Sequence, residues 1–217
     1  MLNHTSIIRK SEPDAVEALF SQATSGNLLF RSHALRVATL SVRIGAAFGL
    51  EPPELETLEL AAKLHDVGKL AVPRSILAKP GPLDEEEWAA MRQHPAEGAR
   101  LLAPYVSSVD LLAIVRSHHE RWDGAGYPEG LRGEEIPLGA RIVAVCDAYE
   151  AMVTDRPYRP ALGHAWACEE LRREAGAQFD PKVVDAFLAE VEHVNEPSGY
   201  DHPIDEVTAR LRELLAA

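Results

Sequence analysis

The sequence has little cysteine, little positive charge and no long apolar run. Cys146 and Cys168 are its two cysteines among 217 residues and neither belongs to a CxxC pair, which excludes a disulfide framework. Lys and Arg number 22 against 34 Asp and Glu, a formal net charge of −12, so no nucleic-acid polymer is expected as a partner. No run approaches the roughly 18 to 20 apolar residues that span a bilayer, and the first residues show no export signal. We therefore expect a cytoplasmic protein without membrane contact.

Apolar positions recur at intervals of three and four along most of the chain, which is the period of an amphipathic helix. No alternating strand pattern of useful length competes, so the sequence predicts an all-α protein. The predicted helices cover about 28–48, 52–65, 85–93, 95–102, 108–119, 140–154, 164–175, 181–193 and 204–215. The predicted organisation is an N-terminal helical extension over 1–27, a main domain over 28–194, and a linker with a C-terminal helix over 195–217.

One segment between predicted helices is rich in glycine and proline. Residues 123–139, DGAGYPEGLRGEEIPLG, contain five glycines and two prolines. Loops longer than about 12 to 15 residues inside compact domains are usually functional or disordered. We interpret this loop as functional.

Several histidines and two aspartates lie on inner faces or at ends of the predicted helices, with His94 expected to close the helix over 85–93. An isolated histidine on an apolar face is more often a core residue than a ligand, so the case depends on their joint placement. An unpaired Asp147 within an apolar helix would be costly to bury. A cation would offset that cost; an ion pair is the alternative, with Lys69 available to Asp66. The candidate ligands are His33, His65, Asp66, His94, His118, His119 and Asp147.

The composition of this ligand set indicates the kind of metal centre. Imidazole and carboxylate without thiolate suit Fe, Mn, Zn or Ni rather than a structural zinc clip. Seven ligands are too many for one ion with an open position, so they divide into two sets that share a bridging carboxylate. A two-metal centre of this kind with a bridging hydroxide keeps a net positive charge, which would attract a phosphodiester despite the acidic protein.

Three segments resemble the HD-GYP family, a branch of the HD metal-dependent phosphohydrolases. They are HDVGK at 65–69, HHERWDGAGYP at 118–128 and IPLGARIVAVCDAYEAMVTDRPYR at 136–159, and the likeness covers roughly residues 30–190. The resemblance implies an HD-domain helical bundle with a long GYP loop, which hydrolyses the bacterial second messenger cyclic di-GMP. It also implies two divalent ions, most often Fe or Mn. One would be held by His33, His65, Asp66 and Asp147, and the other by Asp66, His94, His118 and His119.

The resemblance also implies roles in the reaction. A hydroxide that bridges the metals would attack phosphorus, with Asp66 as the bridging carboxylate and the Lys69 ammonium stabilising charge on the phosphate. Tyr127, Arg156 and Arg159 would bind the substrate, the arginines as planar clamps on phosphate oxygens. The alternatives are a salt bridge to Asp66 for Lys69, and helix capping or surface ion pairs for the two arginines.

The sequence departs from the family pattern in a few places. Members with a third metal carry a Glu four residues before the first His, and here that residue is Leu29. We therefore predict two metals and linear pGpG as the main product, rather than full conversion to GMP. Cys146 stands where Ala is usual and Glu150 where Asp is usual. A thiol next to a ligand could make activity redox-sensitive, but we favour a buried, inert thiol.

Other functions compatible with these residues are a non-catalytic cyclic di-GMP sensor, a di-iron oxygenase, and hydrolysis of a mixed cyclic dinucleotide. A diguanylate cyclase or another signalling protein could dock through the loop around Tyr127. The apolar side of the last predicted helix could pair two subunits as a homodimer or pack on the domain, and we favour packing.

Overall fold

The computed structural model describes residues 7–8, 13–25, 28–154 and 161–192. Within these ranges the chain forms ten α-helices. They are α1 Pro13–Thr24, α2 Leu28–Ala47, α3 Pro52–Leu64, α4 Arg74–Leu77, α5 Glu85–Met91, α6 His94–Leu102, α7 Val109–Ser117, α8 Leu138–Val153, α9 His164–Glu174 and α10 Pro181–Glu192. Two 3-10 helices, Val67–Ala71 and Gly133–Glu135, lie between them. No β-strand occurs in the described ranges, where β pairing is limited to two isolated bridges. The all-α prediction is confirmed.

Local sequence signals set several helix ends. At α5, the Asp84 side chain accepts from the Glu87 backbone N–H at 3.0 Å, and the Glu87 carboxylate accepts from the Asp84 N–H at 2.9 Å. This reciprocal capping satisfies donors that the helix itself leaves free. At α7, the Ser108 hydroxyl accepts from Leu111 N at 3.1 Å.

One predicted boundary is wrong. The sequence predicts that His94 closes the helix over 85–93, but α5 ends at Met91 and His94 is the first residue of α6. The reason is Pro95, which lacks an N–H and is tolerated in the first helical turn, where that donor has no partner inside the helix. His94 therefore stands at the N-terminus of a new helix.

The core is built around α2, which packs along α3 and α8, while α7 packs between α3, α6 and α8. Its buried residues are mostly aliphatic, including Val37 and Ile44 of α2, Leu58 of α3 and Val143 of α8. The α1 helix buries Val16 and Phe20 in the same core, so the described part of the expected N-terminal extension packs on the main domain. The boundaries at 27/28 and 194/195 stay predictions, and the predicted helix over 204–215 lies outside the described residues.

The central helices direct their inner faces toward the candidate ligands. α2 carries His33, α3 leads directly into His65, and α8 carries Asp147. Within the described residues, no helix has both the length and the apolar character needed to cross a membrane.

Candidate metal centre

The seven predicted ligands meet in one place, which we call the His/Asp cluster. Their donor atoms form overlapping groups in which all atoms lie within 4.8 Å of one another. One group comprises His33, His65 and Asp147; another comprises His94, His118 and His119; a third comprises His65, Asp66 and His118. Residues far apart along the chain therefore converge as the sequence predicts.

Two aspartates connect the parts of the cluster. Asp147 Oδ1 lies 2.9 Å from His33 Nε2 and 3.9 Å from His65 Nε2. Asp66 lies between the two histidine groups, with Oδ2 3.5 Å from His65 Nε2 and Oδ1 3.4 Å from His94 Nε2. This is the position that a carboxylate shared between two sites must take.

Backbone carbonyls orient three of the imidazoles. The Nδ1 atoms of His65, His94 and His118 lie 2.7, 2.8 and 2.7 Å from the carbonyl oxygens three residues earlier in the chain. A carbonyl oxygen can only accept, so each Nδ1 carries the proton and each Nε2 presents its lone pair to the cluster. Metal-binding histidines are usually held by such a hydrogen bond from the second ring nitrogen.

The Nε2 atoms of His65, His94 and His118 have no adequate hydrogen-bond partners among the described residues. His65 Nε2 is buried without a hydrogen-bond partner among the described residues. His94 Nε2 and His118 Nε2 lie 3.3 Å apart, although both Nδ1 atoms carry the ring protons. Unpaired buried acceptors cost free energy, and a cation between them would satisfy them. The donor set therefore fits divalent metal ions.

Burial and nearby charges shift the pKa values of four members of the cluster, His118, His119, Asp66 and Asp147. Burial lowers the pKa of His118 well below its usual value, and it lowers the pKa of His119 to about 4. For Asp66, burial would raise the pKa, but Lys69, His65 and His94 together hold it well below its ordinary value. For Asp147, burial is likewise outweighed, chiefly by His33 and His65, and the pKa is lowered. Near neutral pH the His118 and His119 imidazoles are neutral and both carboxylates are charged, so these four groups can bind cations without losing protons.

A glycine sets the distance between Asp66 and His94. The 3-10 helix that follows Asp66 packs on the first turn of α6. A Cβ atom on Gly68 would lie 1.8 Å from the His94 carbonyl oxygen and 2.4 Å from Gly98 N. Only a residue without a side chain permits this approach, so the glycine of HDVGK is part of how the cluster is built.

Lys69 lies beside the cluster, with Nζ 2.5 Å from Asp66 Oδ2. Its side chain is 33% exposed, so the ammonium can also face a bound ligand. The salt bridge that the sequence offered as an alternative is therefore present, and it also directs the ammonium to the edge of the cluster.

Tyr127 lies against the cluster from the loop after α7. Its ring stacks on His119 with centroids 5.0 Å apart and an interplanar angle of 29°, and its backbone N–H donates to His119 O at 3.2 Å. Burial, together with the charge of Asp66, raises the pKa of Tyr127 to about 12, and Arg92 opposes the rise. The hydroxyl is therefore protonated at neutral pH and available as a donor.

The loop that carries Tyr127 is braced by the residues next to it. The buried Glu120 carboxylate accepts from Glu129 N at 2.7 Å and from Leu131 N at 3.1 Å. A Cβ on Gly126 would lie 2.3 Å from Arg121 N, so the loop lies directly on this backbone. Asp123 accepts from Arg121 Nη2 at 2.7 Å and from Ala125 N at 2.9 Å. Glu120 and Asp123 thus make loop contacts.

Arg36 and Glu150 form a contact that the sequence reasoning missed. Arg36 Nε donates to the buried Glu150 carboxylate at 2.6 Å. The two residues lie one helical turn beyond His33 and Asp147. This ion pair is therefore a second polar contact between α2 and α8, next to the contact between His33 and Asp147. Their three-residue spacing from the ligands was visible in the sequence, but the pairing of α2 with α8 was not.

The other residues named in the sequence predictions are Cys146, Leu29 and two arginines. Cys146 is fully buried, and burial raises the pKa of its thiol to about 12, which agrees with an inert thiol. Leu29 lies in the first turn of α2 and is 51% exposed. The predicted phosphate clamps Arg156 and Arg159 lie outside the described residues.

Comparisons with known proteins point to one class. A family model described as an HD domain matches residues 17–183. A Vibrio cholerae protein named cyclic di-GMP phosphodiesterase is 45% identical over 147 residues, which cover 64% of this chain and 30% of that protein. The 3'3'-cGAMP-specific phosphodiesterase 2 of the same organism is 36% identical over 191 residues, covering 87% of this chain and 36% of that protein. The chain thus spans about a third of the length of these curated relatives.

A solved structure shares the fold. The crystal structure of the V. cholerae cyclic GMP-AMP phosphodiesterase V-cGAP3 superposes with a TM-score of 0.68 at 21% identity, covering 89% of this chain and 53% of that chain. At this identity the likeness supports the helical architecture alone.

Proposed function

We propose that this chain, which belongs to the HD domain family, is a metal-dependent phosphodiesterase that hydrolyses cyclic di-GMP. The observation that carries the proposal is the His/Asp cluster, in which imidazole nitrogens that lack adequate protein partners face one another and two carboxylates. The relatives indicate the substrate class, because both are named as phosphodiesterases of cyclic dinucleotides.

The proposed cofactor is a pair of divalent ions, Fe or Mn. His33, His65, Asp66 and Asp147 would hold one ion, and Asp66, His94, His118 and His119 the other. Such a pair supplies, when bound, Lewis acidity toward the phosphate and a nucleophile from water near neutral pH. The mixed nitrogen and oxygen donors without thiolate support this choice of metals.

The side chains around the cluster would bind and orient the substrate. Lys69, at the exposed edge beside Asp66, would place its ammonium against a non-bridging phosphate oxygen and stabilise charge that develops there. Tyr127 would present its ring or its protonated hydroxyl to the nucleotide, held in place by its stack on His119. Arg156 and Arg159 would clamp phosphate oxygens, as the sequence predicts.

The proposed product is linear pGpG. The basis is Leu29, which stands in the first turn of α2 where members of the family with a third metal carry a carboxylate. An aliphatic side chain cannot bind a metal, so two ions are the expected complement. Docking of a diguanylate cyclase or another signalling protein through the Tyr127 loop belongs to the same set of proposals. For the last predicted helix we favour packing on the domain over pairing of two subunits as a homodimer.

A second candidate substrate is the mixed dinucleotide 3'3'-cGAMP. The relative named for it matches over 87% of this chain. Both substrates carry two phosphodiester bonds in the same ring, so the cluster chemistry would be common to them and the difference would come from recognition of one base.

The experiment that tests the proposal is anaerobic loading of the chain with Fe(II) or Mn(II), incubation with cyclic di-GMP, and separation of the products by chromatography. We expect pGpG to accumulate. Asp66→Ala should abolish metal retention and turnover, because both ions lose a ligand. Asp185→Ala removes an exposed carboxylate on α10 and should change neither. Loaded protein that binds cyclic di-GMP without cleaving it would instead identify a sensor, and consumption of oxygen would identify an oxygenase.

A further inference from the structure

The outer side of α5 carries an aromatic residue and a cation in contact. Trp88 is 45% exposed, and the Arg92 guanidinium lies over its ring, with the central carbon 5.8 Å from the ring centroid. The two residues are four apart, so they lie one above the other on the helix surface. We call this pair the Trp88/Arg92 ledge.

Arg92 has no carboxylate partner within the parts of the chain that the structure describes. Other arginines are paired: Arg100 with Glu97 at 2.6 Å and Arg141 with Asp180 at 2.6 Å, for example. Among the described residues Arg92 shares this lack of an ion pair with Arg74 and Arg132, although carboxylates are abundant in a protein with a net charge of −12. Its N–H donors are available to a ligand.

The ledge lies next to the His/Asp cluster. Arg92 is the C-cap residue directly after α5 and stands two residues before His94, whose Nε2 faces the cluster. The His94 Nδ1 atom donates to the Met91 carbonyl oxygen at 2.8 Å, so this predicted ligand is held against the C-terminal end of α5. Arg92 directly follows Met91 in the chain, so the ledge lies at the side of the cluster that His94 forms.

We propose that the Trp88/Arg92 ledge holds one guanine base of the substrate. Trp88 would stack on the purine, as exposed aromatic residues do with unpaired bases. Arg92 would donate to O6 and N7 of guanine, the two acceptors that a planar guanidinium matches. Adenine presents an amino donor in place of O6, so Arg92 would favour guanine over adenine at this position. The inference rests on the proposed function, and it identifies Trp88 and Arg92 as residues that determine the specificity for guanine.

The first test measures steady-state kinetics of the metal-loaded chain with cyclic di-GMP, 3'3'-cGAMP and cyclic di-AMP. We expect Arg92→Ala to raise KM for cyclic di-GMP about 10-fold or more, with kcat within about threefold and metal content unchanged, and to reduce the preference for cyclic di-GMP over cyclic di-AMP. Arg92→Lys should restore part of the affinity and little of the preference, because an ammonium cannot donate in two parallel directions. Trp88→Ala should raise KM about 10-fold for all three substrates, and Trp88→Phe should recover most of the loss.

Two control variants each remove an exposed arginine or an exposed tryptophan elsewhere on the protein surface. Arg100→Ala removes an exposed arginine that is paired with Glu97, and Trp166→Ala removes a tryptophan that is 47% exposed on α9. Both should keep the parent KM and the parent preference. Parent kinetics in Arg92→Ala and Trp88→Ala would overturn the proposal, as would control variants that lose affinity equally.

A second measurement does not depend on turnover. The chain has three tryptophans, so Trp122→Phe/Trp166→Phe leaves Trp88 as the sole indole reporter. Cyclic di-GMP should quench its fluorescence, and Arg92→Ala in this background should shift the half-saturation concentration upward about 10-fold. Quenching without hydrolysis would support the ledge and refute the proposed function. Hydrolysis without any change in Trp88 fluorescence would refute the ledge and leave the proposed function standing.

Discussion

The backbone of Gly68 lies so close to the first turn of α6 that a side chain at this position would clash with it. In Gly68→Ala the new Cβ would lie 1.8 Å from the His94 carbonyl oxygen, whereas real Cβ contacts essentially never fall below 3.0 Å. The 3-10 helix and the first turn of α6 must therefore separate by more than an ångström. The His94 carbonyl oxygen and the Gly98 nitrogen, which the new Cβ would meet, are both backbone atoms. No change of side-chain rotamer can therefore relieve the clash. This separation would increase the 3.4 Å distance between Asp66 Oδ1 and His94 Nε2.

We expect Gly68→Ala to lower the free energy of unfolding by about 3 kcal/mol, the upper end of the usual cost of overpacking. For a chain of this size that corresponds to roughly 6 to 12 °C in Tm. Metal content should fall below two ions per chain, and residual turnover should drop about 100-fold, the scale of a 1 Å misplacement in a site. The assays are urea denaturation followed by circular dichroism, elemental analysis, and product chromatography.

Gly49→Ala provides the control for destabilisation without a change in the cluster. Gly49 has φ +77°, and a Cβ atom added there would meet nothing within 4 Å, so alanine costs only backbone strain, about 1 to 2 kcal/mol. It should lower Tm but retain both ions. A Gly68→Ala protein with parent stability and two ions would refute the reasoning that this glycine sets the geometry of the cluster.

Three further predictions concern single groups. Lys69→Ala should retain both metals and slow cleavage about 100-fold, as expected for loss of one donor to the transition state; cleavage at the parent rate would remove Lys69 from the mechanism. The Cys146 thiol, with its pKa raised to about 12 by burial, should resist a thiol reagent at pH 8 until the protein unfolds; prompt labelling of Cys146 in the native state would contradict this. The metal-free protein should lose stability as pH falls from about 6.5 to about 4, because the pKa of His119 is about 4 in the folded state and about 6.5 in the unfolded chain, which then binds more protons. The contribution of His119 is about 3 kcal/mol at most, and urea midpoints that stay flat over this range would show that the imidazole is not held neutral.

The sequence predicted the parts of the structure that depend on local pattern. Helical periodicity placed His33 on an inward face, and the cost of burying an unpaired Asp147 within an apolar helix indicated a charged or metallic partner. The predicted helices over 85–93 and 108–119 begin within one residue of α5 and α7. The one helix boundary that was wrong, at His94, also has a local cause, since Pro95 suits a first turn as well as it breaks a helix.

Contacts between distant elements could not be predicted in the same way. The ion pair between Arg36 and Glu150 depends on the register of α2 against α8, which no local pattern contains. The same holds for Gly68, whose necessity becomes visible only when α6 is placed against the 3-10 helix. The contact between Trp88 and Arg92 follows helical spacing, but the hydrogen bond that holds His94 against Met91 at the end of α5 depends on the turn into α6.

The measurement that tests the central claim most directly is anomalous diffraction from crystals of the Mn-loaded protein. Two peaks should lie within the His/Asp cluster, about 3.5 to 4 Å apart as in two-metal hydrolytic sites. One should lie against His33, His65 and Asp147, the other against His94, His118 and His119, with Asp66 bridging them. A single peak, or density at the cluster that lacks any metal signal, would contradict the dinuclear centre on which the proposed chemistry depends.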